Sequence, residues 1–99
     1  MASRVFVDDV GISLVYPNGT AQYLWPEIAD VTVQASLPPP GDQRLVEIDI
    51  SHVSGEFTTA SELFDGFYES VAAVAARSGV RLPDLATLEP SDGVVQIYP

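Results

Sequence analysis

The sequence predicts an α+β fold: a mostly antiparallel meander of short strands forming a strongly curved sheet, covered by one long amphipathic helix. Three features predict it. Apolar residues alternate with a period of two through the first half, proline and glycine punctuate that alternation, and the spacing turns helical near residue 60. Ninety-nine residues allow a single domain, 1–99.

Val5 and Val7 oppose Phe6 in a first strand, and Asp8-Asp9-Val10-Gly11 reads as a turn whose glycine can take positive φ. Ile12, Leu14 and Tyr16 share one face of the next strand. Pro17-Asn18-Gly19 is a reversal, with Gly19 able to sit left-handed before the strand resumes. The return, 20–25, puts Ala21, Tyr23 and Trp25 on one side, and Pro26 breaks its ladder for want of an N–H. A fourth strand shows Ala29, Val31, Val33 and Ala35 on one face and Asp30, Thr32 and Gln34 on the other. Pro38-Pro39-Pro40-Gly41-Asp42 is a stiff loop. The cleanest alternation follows, with Val46, Ile48 and Ile50 inward and Glu47, Asp49 and Ser51 outward. A turn at Ser54-Gly55 leads to a short sixth run, Glu56-Phe57-Thr58.

Thr59-x-x-Glu62 then has the form of a capping box, in which hydroxyl and carboxylate satisfy each other's backbone N–H groups. Leu63, Phe64, Phe67, Val71, Val74 and Ala75 fall on one helical stripe, so the spacing predicts a helix over about 60–78. Gly66 inside that helix costs roughly 1 kcal/mol against alanine, and close approach of the sheet is a reason to keep it. Glu62, Asp65 and Arg77 suit the helix dipole, and Gly79 is a left-handed stop with Val80 folding back. Leu82, Leu85 and Leu88 recur at three-residue spacing, with Pro83 able to open a short turn and Pro90 ending it. A strand-like tail, 94–98, closes the chain and is expected to pair with an edge of its own sheet or with a neighbouring subunit.

Charge is the outlier. Fourteen carboxylates face four arginines and no lysine, for a formal net charge of −10, spread evenly over both halves. Such a surface repels phosphates and anionic head groups, which excludes nucleic acid and membrane as partners and favours a basic protein. No cysteine is present, so disulfides, thiolate metal sites and cysteine nucleophiles are excluded. The first residues, Met1-Ala2-Ser3-Arg4, do not resemble a secretion signal, and the longest apolar run, 71–76, is too short to span a bilayer, so the cytoplasm is the expected compartment.

No catalytic, cofactor or metal residues stand out, and the chain is not expected to be an enzyme. His52 is the sole histidine, at a strand-to-turn junction, and reads as a polar surface residue. Asp8 and Asp9 lack the alternating oxygens of a calcium loop and read as caps for turn N–H groups. Glu47 and Asp49 point to the same side of one strand, about 7 Å apart. Paired glycosidase carboxylates have such a separation, but in so acidic a chain a solvated face explains it as well. Trp25 reads as a core residue, Phe64 and Phe67 as core with Leu63, and Tyr16 and Tyr23 as candidates to stack across their hairpin.

Gly11-Ile12-Ser13-Leu14 ahead of Pro17-Asn18-Gly19, then Leu24-Trp25-Pro26-Glu27-Ile28, the Val31/Val33 strand and Val46-Glu47-Ile48-Asp49-Ile50 carry a resemblance. Over about 3–78 the chain resembles small bacterial pleckstrin-homology-like domains, with 79–99 as a C-terminal extension. The resemblance implies a split barrel of two nearly orthogonal sheets whose mouth the helix covers. It also implies binding of phosphoinositides, peptides or proteins. Lipid-binding members use basic residues in the loop joining the first two strands. Here that loop is Asp8-Asp9-Val10-Gly11, so phosphoinositides are not expected. In charge and size the chain is also similar to acidic bacterial immunity proteins.

The expected function is therefore a non-catalytic acidic interaction domain, an adaptor or an inhibitor of a basic protein. Asp30, Glu47 and Asp49 form the candidate protein-binding face. Two alternatives stand beside it: an assembly subunit that dimerises through the tail strand or an exposed strand edge, and a module binding a small apolar ligand at the barrel mouth.

Overall fold

The alternating segments become strands, and the breaks between them become turns. The computed structural model describes residues 3–41 and 43–99; Met1 and Ala2 of the N-terminal segment and Asp42, the expected close of the triproline loop, lie outside the described residues. Strands β1 (Arg4–Val7), β2 (Gly11–Tyr16) and β3 (Gly19–Leu24) form one antiparallel sheet in chain order. Strands β4 (Ile28–Ser36), β5 (Leu45–His52), β6 (Phe57–Ser61) and β7 (Val95–Tyr98) form a second, in the order β6-β5-β4-β7. Of the two expected arrangements, a strongly curved sheet or a split barrel of two sheets, the chain forms two sheets, and they do not close into a barrel. Pro26 supplies the break: Trp25–Glu27 is a 3-10 turn that carries the chain from one sheet to the other.

The helix begins later than its spacing predicts. Helix α1 spans Phe67–Ser78, and residues 57–61 are strand β6. The capping box does not form. Thr59 Oγ1 donates instead to Asp49 Oδ1 at 2.5 Å, while the Glu62 N–H donates to the Val46 carbonyl at 2.9 Å and Glu62 Oε1 accepts from the Val46 N–H at 2.9 Å. The open edge of β5 offers Thr59-Ala60-Ser61 a full ladder, worth more than one local cap. Leu63, expected in the core, is 76% exposed, whereas Phe67 is 1% exposed and Phe64 packs at the core's rim. Gly66 lies just before α1 with φ 78°, and a Cβ there would meet the Val5 carbonyl oxygen at 2.6 Å. The sheet does approach closely, but at the helix entrance rather than mid-helix.

The helix end is as read from the sequence. Gly79 takes φ 71°, its N–H donates to the Ala76 carbonyl at 3.2 Å, and the Val80 N–H reaches the Ala75 carbonyl at 3.0 Å. Each end of α1 is also tied to a different sheet. Ser70 Oγ donates to the Val5 carbonyl in β1 at 3.1 Å, and Ser78 Oγ to the Ile97 carbonyl in β7 at 2.5 Å. The helix therefore bridges the gap between the sheets, burying Phe67, Val71 and Val74 against them.

Three smaller expectations change. A register shift between Ile28 and Asp30 makes Ala29 an extra, exposed residue, so Ile28 rather than Ala29 joins Val31, Val33 and Ala35 inside. Gly11 does not have positive φ; it lies in β2 directly against the β3 backbone. Tyr16 and Tyr23 do not stack, because the tight turn pairs Tyr16 with Gly19 and Tyr23 with Ile12. Tyr16 packs edge-on to Phe64 and Tyr23 to His52.

The tail takes the first of its two expected places. β7 pairs antiparallel with β4 in its own sheet, and Ile97 is fully buried. With Leu85 and Leu88, it makes the expected C-terminal extension part of the shared core. Pro90 opens a 3-10 turn, Pro90–Asp92, rather than only ending the preceding one, and the Asp92 carboxylate accepts from the Glu89 N–H at 2.8 Å.

Candidate interaction surface

Period two sends Thr32, Gln34 and Ser36 of β4, Glu47, Asp49 and Ser51 of β5, and Phe57, Thr59 and Ser61 of β6 to the face turned away from the core. Asp30, opposite Ser51, joins them past the bulge. All three predicted carboxylates thus lie on one sheet face. Glu47 and Asp49 are successive outward residues of β5, and Asp30 is a diagonal neighbour of Asp49.

This face is organised. Gln34 Nε2 donates to Asp49 Oδ2 at 3.2 Å, Thr59 Oγ1 to Asp49 Oδ1 at 2.5 Å, and Ser36 Oγ to Glu47 Oε1 at 2.6 Å. Hydroxyls and an amide therefore hold the β5 carboxylates, which stay half-buried in the sheet surface. These contacts are neutral and leave the negative charge in place.

Three of the four arginines are used elsewhere. Arg4 lies over the Phe6 ring at 5.0 Å and Arg77 over the Trp25 ring at 4.4 Å. Arg44 donates to the carbonyls of Leu85, Ala86 and Leu88 at 3.0, 3.1 and 2.6 Å, closing the turn after the helix. Among the described residues, the sole contact within 4.0 Å between a basic side chain and a carboxylate is His52 Nε2 to Glu27 Oε2, at 4.0 Å. His52 Nδ1 meets Ser54 Oγ at 2.8 Å, consistent with a turn residue. Asp8 Oδ1 accepts from the Val10 and Gly11 N–H groups at 2.9 and 3.1 Å, as its place in a turn predicts. Trp25 is buried, donates from Nε1 to the Asp8 carbonyl at 3.0 Å, and packs on Tyr98.

Sequence reasoning did not find the role of Arg44, which reaches across more than forty residues, or that of Glu62. No local pattern signals either. Glu62 accepts from Val46 with one oxygen and from the Tyr68 hydroxyl with the other. That hydrogen bond, reinforced by partial burial and by the nearby negative charge, holds the Tyr68 proton above the usual 10.0. We expect an NMR-monitored titration to show Tyr68 ionising above 10.0, and Glu62→Gln to lower that value. Since the folded pKa exceeds the unfolded one, this bond's contribution to stability is complete below about pH 10. It is lost as pH rises through the folded value.

A groove of about 540 Å³ lies beside the triproline loop, lined by Pro38–Pro40, Gln43, Arg44, Leu45, Glu62 and Leu63. Among the described residues no cluster of potential ligands could hold a metal ion, and no helix is long and apolar enough to cross a membrane. Comparison with protein-family models, curated proteins and solved structures finds no match.

Proposed function

We propose that this chain is a non-catalytic acidic interaction domain that binds a basic protein, as an adaptor or an inhibitor, with the cytoplasm as its setting. Asp30, Glu47 and Asp49 form the face that meets the partner. One observation carries the reading: among the described residues no arginine lies within 4.0 Å of a carboxylate, so no arginine of the chain engages the face, and the net charge of −10 leaves its carboxylates to an outside cation. Such a field steers a cationic partner at long range, and a sheet face on which Glu47 and Asp49 are already held by hydrogen bonds receives it without ordering those side chains.

Kinship with the pleckstrin-homology-like domains belongs to the same proposal. Six strands in meander order followed by a helix support it, and peptide or protein binding suits that family. The open arrangement of the two sheets and the β7 addition are departures from its split barrel.

The test uses poly-arginine as the probe and two charge-matched variants. Asp30→Asn/Glu47→Gln/Asp49→Asn removes the face, whereas Asp84→Asn/Glu89→Gln/Asp92→Asn removes as many charges from an exposed stretch elsewhere. Association should slow strongly between about 50 and about 300 mM salt, and the face variant should weaken binding about tenfold, the control about twofold. Equal losses in both variants, or a rate indifferent to salt, would overturn the proposal.

A further inference from the structure

We infer that the basic partner is received as an added β-strand, an extended segment pairing with the open edge of β6. This rests on the reading that the partner is basic and adds where and in what conformation it binds.

The backbone of β6 is poised for such pairing. It lies at the end of the second sheet and pairs with β5 alone. The His52 N–H donates to the Glu56 carbonyl at 2.7 Å and the Glu62 N–H to the Val46 carbonyl at 2.9 Å. Bonded and non-bonded positions alternate in an antiparallel ladder, so Thr58 and Ala60 also turn their backbone groups toward β5. Phe57, Thr59 and Ser61 therefore aim theirs outward. The Ser61 carbonyl is taken by the Phe64 N–H at 3.0 Å. The N–H and C=O of Phe57 and Thr59 and the N–H of Ser61 have no partner among the described residues.

Two of the other three edges are shielded. The outer side of β1 is bridged by Asp65, whose carbonyl accepts from the Val5 N–H at 2.9 Å and whose N–H donates to the Ser3 carbonyl at 2.9 Å. β7 is four residues long beside a register shift, and β3 is an open edge but has no carboxylate on it or opposite it on β2, so nothing there selects a basic strand. β6, Phe-Thr-Thr-Ala-Ser, contains no proline, charge or bulge, the devices that protect edges from pairing. Phe57 is 71% exposed at one end and Leu63 is 76% exposed beyond the other, where the groove by the triproline loop begins.

Charge selects the occupant. Glu56 and Glu62 flank the strand, and Asp49 and Glu47 stand opposite Thr59 and Ser61 on β5. A strand added to β6 lies roughly 10 Å from β5, two strand spacings. A lysine or arginine on its outward face spans that gap to Asp49 or Glu47 over the short Thr59 and Ser61 side chains. A second copy of this chain would bring the same acidic edge and another charge of −10, so self-pairing is opposed. The segment expected is extended, with basic residues two apart opposite Thr59 and Ser61 and an apolar one opposite Phe57.

The probe is a peptide of about nine residues whose outward positions are two successive arginines and then a leucine, with valine between them, added to the full-length protein and followed by amide NMR and hydrogen exchange. Protection should appear at the Phe57, Thr59 and Ser61 amides. N-methylation of the peptide amides that face β6 should weaken binding about tenfold or more, and Phe57→Ala several-fold. If the methylated peptide binds equally, with shifts confined to the Asp30/Glu47/Asp49 face, the edge is overturned and the basic-partner reading stands. If neither peptide binds, both fall. Protection of the β6 amides in a concentration-dependent dimer without peptide would replace the basic segment by a second copy.

Discussion

Gly11→Ala is expected to destabilise the domain by about 3 kcal/mol or more, enough to unfold much of a protein this small at ambient temperature. A Cβ at Gly11 would overlap the Tyr23 carbonyl oxygen and come within 2.8 Å of the Tyr23 carbonyl carbon and 2.9 Å of Leu24 Cα. Every one of these atoms is β3 backbone. Relief therefore requires moving a strand paired over its whole length with β2, not rotating a side chain. Gly55→Ala is the comparison. There φ is 96° and nothing lies within 4 Å of the added methyl, so only the backbone penalty of about 1–2 kcal/mol applies. Urea denaturation of both variants checks the order. A Gly11→Ala midpoint above that of Gly55→Ala would show that the two strands are not in contact as described.

Phe67→Ala should cost about 3–5 kcal/mol and Leu63→Ala less than about 0.5. A continuous helix over 60–78 places both residues on one apolar stripe and predicts comparable losses. The fold separates them: Phe67 is 1% exposed in the first turn of α1, and Leu63 is 76% exposed in the turn before it. Denaturant midpoints for the two variants decide between the arrangements, and equal large losses would restore the longer helix.

Residues 59–66 show why that helix start was illegible in the sequence. Thr59 and Glu62 have capping-box spacing, and Leu63-Phe64 continues the helical stripe, so each local rule points to a helix. Both polar side chains instead serve β5, Thr59 through Asp49 and Glu62 through Val46. A cap contributes about 1 kcal/mol, and a five-residue ladder with a buried alanine outweighs it. The acidic face was legible because its residues follow the strand period, which depends only on alternation. That β6 is left unpaired on one side was not, since it requires knowing that β7 adds to β4 at the other end of the sheet.

The sequence by itself determined the positions of the strands other than β6, the reversal after Tyr16, the glycine stop after Ser78 and the net negative charge. Each is a property of neighbouring residues or of composition, set by pleat, turn geometry and ionisation. Only the tertiary structure decided where α1 begins, that two sheets form and stay open, that Arg44 closes a turn forty residues away, and which edge remains free. Those outcomes depend on which distant backbone groups find partners. Such pairings outweigh local preferences of about 1 kcal/mol or less.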